Sequence, residues 1–246
     1  MISDEAYSQL EEAVGPDNVS REPGVLDGYA WQPTNNDHPV ERWVKRPVAV
    51  VLPSCTEEVQ EVVRACNRHG LKFKAFSTGW GVYSGCTYDN VVQVDLRRMN
   101  RILEIDEKNM YAVIEPYNCG AQLQAEAMKV GLNVSIPSSG PCDSPLPTAL
   151  AVPAGEERET GPEGKEPDLL AVECVLPGGE LLALEGGEEP PDSARGQAVI
   201  TKGVVRLCDW PGPVEIPMRG LLFDAEVEVP ESIRFCLCFF PDAASE

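Results

Sequence analysis

In the stretch KAFSTGWGVYSG, which covers residues 74–85, a short apolar run is followed by glycines, hydroxyl side chains and the two large aromatic residues Trp80 and Tyr83. Glycine lets backbone N–H groups approach an anion closely because no side chain intervenes, so this stretch could cradle a phosphate. An ordinary surface loop can have the same composition, and a short glycine pattern alone is weak evidence. The interpretation therefore depends on the elements that hold the stretch in place.

The residues before this stretch have the pattern of a strand–helix–strand unit. An apolar run of strand length, PVAVVLP, occupies residues 47–53, and LKFKAF at 71–76 is a second strand. The helix between them has apolar residues at i, i+3, i+4 and i+7: Val59, Val62, Val63 and Cys66. We expect Ser54 or Thr56 to cap this helix and Gly70 to end it.

The remaining periodicity predicts a mixture of short strands and a few helices. Helices are expected at 4–14, within an N-terminal region that continues as a proline-rich approach segment over 15–46, and at 119–130, where Leu123, Ala127 and Val130 share one side. Strands are expected in NVVQVDL, RILEID and YAVIEP, in a hairpin around Gly178-Gly179, and as a strand pair in AVITKGVVRLCDW. The fold class is therefore α+β, with mixed sheets flanked by helices.

The amino-acid composition limits the kinds of molecule that this chain could bind. With 20 Lys and Arg against 40 Asp and Glu, the formal net charge is -20, which disfavours nucleic acid and anionic membranes. No apolar run approaches the roughly 20 residues of a membrane span, and the N-terminus lacks a signal-peptide pattern, so we expect a cytoplasmic protein. An anionic ligand would have to be held by backbone dipoles instead of a basic patch.

Cysteine and histidine spacing predicts no metal site. The nine cysteines include no CxxC pair, and Cys236 and Cys238 fit one face of a buried strand better than a metal or redox site. An odd count suggests free thiols. Of the two histidines, His69 is expected to have a structural role at a helix end, and His38 lies in a proline-rich segment poorly suited to catalysis.

The order of these blocks resembles the FAD-binding domain of the vanillyl-alcohol oxidase and p-cresol methylhydroxylase (PCMH) superfamily. The match runs from RPVAVVLPSCTEEVQEVVRACNRHGLKFKAFSTGWGVYSG through VVQVDLRRMNRILEID to YAVIEPYNCGAQLQAEAMKVGLNVSIP. It covers residues 40–140 well and 168–216 in patches. The resemblance implies a PCMH-type domain of two small α/β subdomains, in which the glycine stretch binds the FAD pyrophosphate.

The resemblance also implies individual cofactor contacts. The pyrophosphate loop would comprise Ser77, Thr78, Gly79, Trp80, Gly81, Val82, Tyr83, Ser84 and Gly85. Pro53 would lie near the adenosine end, and the backbone of Val199 and Ile200 would contact adenine. A further segment would approach the dinucleotide or the flavin edge with Pro137, Ser138, Ser139, Gly140 and Asp143.

Simpler roles stay open for several of these residues. Trp80 and Tyr83 could pack the loop against the domain, and Asp143 could cap a turn. Asp95 and Glu115, at strand ends, are expected to be solvated or turn-forming.

Some relatives attach the flavin through a histidine in this loop. Here Gly81 takes the aligned position and the loop contains no histidine, so a histidyl link there is excluded and we expect noncovalent FAD.

The pattern departs from the family towards the C-terminus. We expect an N-terminal helix and approach segment over 1–46, and an FAD-binding domain over 47–220 with flexible loops at 150–168 and 185–196. The start of a truncated substrate domain is expected over 221–246. That domain supplies most substrate-orienting groups in the family, and no catalytic base can be assigned here.

Two functions follow from this pattern. One is an FAD-dependent oxidoreductase, or a subunit of one, that takes a hydride from an alcohol or 2-hydroxy acid and needs an electron acceptor. The other is a catalytically incomplete FAD-binding module that needs a partner chain. A nicotinamide-binding Rossmann domain fits less well because no G-x-G-x-x-G opens a helix directly after a strand.

Overall fold

The computed structural model describes the secondary structure of six segments of the 246-residue chain. These segments are 2–30, 44–78, 85–134, 141–147, 169–185 and 198–209. The α-helices are α1 (Asp4–Val14), α2 (Pro23–Gly28), α3 (Thr56–Arg68) and α4 (Gly120–Met128), and a 3-10 turn covers Pro16–Asn18. The strands are β1 (Val19–Ser20), β2 (Ala49–Val51), β3 (Lys72–Phe76), β4 (Val91–Asp95), β5 (Ile102–Asp106), β6 (Tyr111–Ile114), β7 (Leu132–Asn133), β8 (Leu169–Val175), β9 (Leu181–Glu185), β10 (Val199–Arg206) and β11 (Cys208–Asp209).

The first sheet is mostly parallel and has the strand order β1-β2-β4-β3. β4 lies between β2 and β3 and runs parallel to both, while β1 is antiparallel to β2. All five residues of β4 are buried, because the strand has neighbours on both edges and is covered on its faces. The predicted strand–helix–strand unit is confirmed as β2, α3 and β3, and the predicted helix over 4–14 is confirmed as α1.

Helix α3 packs its apolar face into the core as predicted, but its N-terminus differs from the expectation. Val59, Val62, Val63 and Cys66 are all fully buried. The N-cap residue is Cys55, which makes no side-chain capping bond, so neither predicted cap is correct. Ser54 instead donates from its backbone N and its Oγ to Glu58, at 2.7 and 3.0 Å.

The second sheet is antiparallel and has the order β5-β6-β10-β8-β9. The predicted hairpin is confirmed as β8 and β9, with Gly179 at a φ of +91° that favours glycine. The stretch near the C-terminus contains two strands as predicted, β10 and β11, but they do not pair with each other, since β10 pairs with β6 and β8. Val130 is also misplaced by the sequence pattern: helix α4 ends at Met128, and Val130 is 37% exposed.

The chain divides into two compact units, Met1–Cys208 and Asp209–Glu246. Both sheets belong to the first unit, and Asp209 is the part of the second unit that the structure describes. In the described part of the approach segment, residues 15–30 and 44–46, β1 and α2 form regular structure that its proline content does not suggest. No helix within the described segments is long and apolar enough to span a membrane.

Candidate functional site

The predicted phosphate-binding stretch begins where the parallel strand β3 ends. Phe76 is the last residue of β3 and pairs in register with Asp95, the last residue of β4. Ser77 and Thr78 follow at once, and Ser77 Oγ donates to the carbonyl oxygen of Pro116 at 2.5 Å. Ligands of open α/β sheets bind outside the carboxyl ends of parallel strands, so the stretch starts at the edge of the sheet that is suited to a site.

The stretch ends at Gly85, which is tightly held. Lys74 Nζ donates to the carbonyl oxygen of Gly85 at 2.5 Å, and Lys45 N donates to that of Cys86 at 2.7 Å. A Cβ atom at Gly85 would lie 2.8 Å from Cγ1 of the buried Val44. Glycine is therefore required here by packing. Gly79, Trp80, Gly81, Val82, Tyr83 and Ser84 lie outside the described residues.

An ionic cluster around a buried carboxylate occupies the carboxyl end of β4. The Asp95 side chain is fully buried and accepts a hydrogen bond from Tyr29 Oη at 2.5 Å. Arg97 donates to the same carboxylate from its backbone N at 2.9 Å and from Nε at 2.8 Å. Burial, together with the hydrogen bond to Asp95, raises the pKa of Tyr29. The expectation that Asp95 is solvated is wrong, although its bond to Arg97 N does form a local turn.

The connector between the sheets, residues 96–101, carries three arginines, each paired with a carboxylate. Besides the Arg97–Asp95 pair, Arg98 lies 3.6 Å from Glu58 and donates to the Leu52 carbonyl at 2.7 Å. Arg101 Nη2 lies 2.6 Å from Glu115, which is 4% exposed. Glu115 is therefore not solvated, but the turn-forming alternative holds, since its carbonyl accepts from Asn118 N at 3.1 Å. All three guanidinium groups are thus engaged, and two of them link the connector to the ends of other strands: Arg98 to the end of β2 and Arg101 to the end of β6.

The start of helix α4 brings a third segment to this region. Gly120 N donates to the carbonyl of Asp143 at 2.8 Å, and Ala121 N donates to that of Pro141 at 2.9 Å. Asp143 thus caps a helix through its backbone, while its buried Oδ1 atom has no hydrogen-bond partner among the residues that the structure describes. The neighbouring Asn118 is fully buried and its Oδ1 is unpaired in the same sense. Asn118 follows Pro116, the partner of Ser77, by two residues, and Asp143 is joined to the same segment by its bond to Gly120 N.

The predicted adenosine end lies beside the start of helix α3. Pro53 is buried directly after β2. Thr56 and Thr201 both donate from Oγ1 to Glu173 Oε1, at 3.1 and 3.0 Å, which ties α3 to β8 and β10. Thr201 lies at an irregularity in the β8–β10 register, directly after the predicted contact residues Val199, which is buried, and Ile200, which is half-buried.

Not every sequence-predicted site residue can be compared with the structure. Pro137, Ser138, Ser139 and Gly140 lie outside the described residues, as do His38, Cys236 and Cys238. The seven described cysteines are free, and the described segments contain no group of three His, Cys, Asp or Glu side chains that could hold a metal. Sequence reasoning missed Asn118. Its position just before a helix start was the available signal.

Comparison with known proteins agrees with this architecture. Residues 47–185 match the family model described as "FAD binding domain", which is more than half of the chain. The flavoprotein subunit of 4-cresol dehydrogenase [hydroxylating] from Pseudomonas putida is 30% identical over 193 residues, which are 75% of this chain and 35% of that protein. D-2-hydroxyglutarate dehydrogenase from Xanthomonas citri pv. viticola is 25% identical, over 100% of this chain and 54% of that protein.

Solved structures share the fold. A crystal structure of p-cresol methylhydroxylase with substrate bound superposes with a TM-score of 0.70 at 23% identity, covering 85% of this chain and 44% of that one. Alkyldihydroxyacetonephosphate synthase gives a TM-score of 0.69 at 20% identity, covering 89% of this chain and 41% of that one. The chain thus spans about a third to a half of the length of these proteins. By its matched domain and its fold, it belongs to the vanillyl-alcohol oxidase and p-cresol methylhydroxylase family of FAD-binding oxidoreductases.

Proposed function

We propose that this chain binds FAD noncovalently at the carboxyl end of its parallel sheet and serves a flavin-dependent oxidation of an alcohol or a 2-hydroxy acid. The observation that carries the proposal is the position of Ser77 and Thr78. They open the glycine stretch directly after β3, beside the end of β4 and against Pro116. The FAD pyrophosphate would be held by backbone N–H groups of residues 77–85, with Thr78 or Ser84 adding hydroxyl donors.

Electrostatics support phosphate binding by main-chain groups. The chain carries a net charge of -20, and the arginines of the 96–101 connector are each paired with a carboxylate. Backbone amides at a glycine turn bind anions without an added cation, because their dipoles are fixed by the fold. The same arrangement leaves the acidic surface free to repel competing polyanions.

The two buried acceptors support a place for the rest of the cofactor. Flavin and its ribityl chain carry N–H and O–H donors, and buried acceptor atoms in proteins are normally hydrogen-bonded. Oδ1 of Asp143 and Oδ1 of Asn118 are unpaired within the described segments and lie near the start of α4. We assign them to the flavin end of the site. The adenosine part of FAD would then contact Pro53 and the backbone of Val199 and Ile200.

Bound FAD would supply a hydride acceptor, since flavins carry out hydride transfer that side chains cannot. Relatives of the chain include dehydrogenases of 4-cresol, D-2-hydroxyglutarate and D-lactate, which suggests small hydroxylated substrates. The described residues here would bind and orient the cofactor. The groups that remove the substrate proton would come from residues beyond them or from a partner subunit, with an electron acceptor completing the cycle.

The test is a titration of the purified chain with FAD, followed by visible absorbance and flavin fluorescence. Saturable binding supports the proposal, and a chain that binds no FAD refutes it. Addition of aromatic alcohols and 2-hydroxy acids without oxygen then separates the two functional readings. Bleaching of the flavin band indicates an oxidoreductase, whereas a bound flavin that stays oxidised indicates a cofactor-binding module that needs a partner.

Two further measurements address the binding mode. Acid precipitation of the loaded chain should leave all FAD in the supernatant, since residues 77–85 contain no histidine. Flavin that remains with the pellet would contradict noncovalent binding. Replacement of Gly79 or Gly81 by leucine should weaken FAD binding by blocking close backbone approach, whereas Gly24→Leu, at an open position in α2, should not.

A further inference from the structure

A closed ring of hydrogen bonds surrounds the end of the glycine stretch. Lys74 Nζ donates to the Gly85 carbonyl at 2.5 Å, and the next residue, Cys86, donates from Sγ to Gln93 Oε1 at 2.9 Å. Gln93 Nε2 completes the ring by donating to the Lys74 carbonyl at 3.1 Å. β3, β4 and the end of the stretch are thus joined through three side chains, which we call the clasp: Lys74, Cys86 and Gln93.

The clasp is built in a place where its polar groups are costly unless paired. Cys86 and Gln93 are fully buried, and Gln93 lies in the middle of β4, where its neighbours are the apolar Val92 and Val94. A polar side chain in such a position requires hydrogen-bond partners, since an unpaired buried amide costs roughly 1–3 kcal/mol. An apolar residue would fill the same position in a buried parallel strand more simply.

The protonation states and contacts of the clasp suit a fixed set of hydrogen bonds. Burial raises the pKa of the Cys86 thiol to about 11, so the thiol stays protonated and acts as a donor. The Cys86 carbonyl is held at the same time by Lys45 N at 2.7 Å. Two successive carbonyls of the main chain are therefore fixed. The Gly85 carbonyl is held by the Lys74 ammonium, and the Cys86 carbonyl is held by the Lys45 backbone N–H.

We infer that Lys74, Cys86 and Gln93 are positioning residues for dinucleotide binding, which orient the main chain at the end of the phosphate-binding stretch. This inference rests on the proposed function. Preorganised donors bind an anion more tightly because the cost of ordering them has been met during folding. A chain with a broken clasp would still fold around the same two sheets but would bind FAD more weakly.

The experiment compares variants that break the clasp with one that only destabilises the fold. Gln93→Leu and Cys86→Ala remove hydrogen bonds of the ring, Cys86→Ser keeps a donor, and Val62→Ala makes a cavity under α3 away from it. FAD dissociation constants come from flavin fluorescence, and thermal unfolding reports stability. We expect the dissociation constant to rise roughly tenfold in the two breaking variants and to stay within about threefold in the other two.

A second readout does not depend on FAD. Hydrogen exchange of the cofactor-free chain, followed in peptides that contain Gly85 and Cys86, should be faster in the two breaking variants than in Cys86→Ser or Val62→Ala. If exchange is unchanged in the breaking variants, the clasp does not anchor the main chain. If exchange is faster but FAD affinity is unchanged, the clasp anchors the main chain but does not position it for FAD. If the parent chain binds no FAD at all, both the proposed function and the positioning role fail, while the exchange data still decide whether the ring anchors the main chain.

Discussion

The contact between Gly85 and Val44 gives a sharp test of the structure around the glycine stretch. A Cβ atom at Gly85 would lie 2.8 Å from Cγ1 and 3.1 Å from Cγ2 of Val44, closer than van der Waals contact allows. Val44 is 3% exposed and β-branched, so its methyl groups cannot turn aside easily. Gly85→Ala should therefore destabilise the fold by about 2 kcal/mol through overpacking.

Removal of the Val44 methyl groups should reverse this effect. Val44→Ala alone deletes two buried carbons at about 0.8 kcal/mol each and leaves a small cavity, for a loss of about 2 kcal/mol. In the double variant the new methyl group enters that cavity, and the net loss of one carbon is offset by the gain of about 0.4–1 kcal/mol from replacing glycine with alanine. The double variant should therefore be within about 1 kcal/mol of the parent chain.

Urea unfolding of the four proteins measures this coupling. Independent effects would sum to a loss of about 4 kcal/mol, so the expected interaction energy is about 3 kcal/mol. FAD affinity should follow the same pattern, falling in Gly85→Ala and recovering in the double variant. A Gly85→Ala chain as stable as the parent, or additive losses in the double variant, would show that Val44 does not pack against Gly85 as described.

Three other predictions concern buried groups. Asp95→Asn should cost about 2–3 kcal/mol in urea unfolding, because the amide lacks the charge that pairs with Arg97 and, with its oxygen accepting from Tyr29 and Arg97 Nε, its NH2 group would face the Arg97 backbone N–H; an unchanged midpoint would contradict this. Burial raises the pKa of the Cys66 thiol to about 12. The contribution of the buried neutral thiol to the free energy of unfolding is therefore complete below about pH 9 and is lost between pH 9 and 12. Between pH 9 and 12 the free energy of unfolding of the parent chain should fall more steeply than that of Cys66→Ala, by about 1.4 kcal/mol per pH unit. Parallel pH profiles of the two proteins would refute this prediction. Gly203→Ala should lower the melting temperature, since its Cβ would meet Leu146 and the backbone of β8, and an unshifted melting curve would argue against that packing.

Local periodicity was sufficient to predict the strand–helix–strand unit, because four apolar residues with helical spacing can be buried together on only one face. It was not sufficient for Asp95 and Glu115. An acidic residue at a strand end is usually solvated, and only the folded chain brings Tyr29 to the Asp95–Arg97 pair and Arg101 to Glu115. Helix caps were also misjudged, since Thr56 donates to Glu173 on a strand more than a hundred residues away. Long-range pairs of this kind leave no local signal.

The connector at 96–101 has a consequence for how the protein unfolds. Its arginines engage carboxylates that belong to both sheets, and Tyr117 N donates to the Met99 carbonyl at 2.9 Å. The Arg98 bond to the Leu52 carbonyl ties the connector to the first sheet, and the Arg101–Glu115 pair and the Tyr117–Met99 bond tie it to the second. Separating the sheets would break one of these sets of bonds, and loss of the second set would leave the buried carboxylate of Glu115 without its cation, which costs far more than losing an exposed ion pair. The two subdomains should therefore unfold in a single cooperative transition. A destabilising substitution in either one should lower the stability of the whole nucleotide-binding domain.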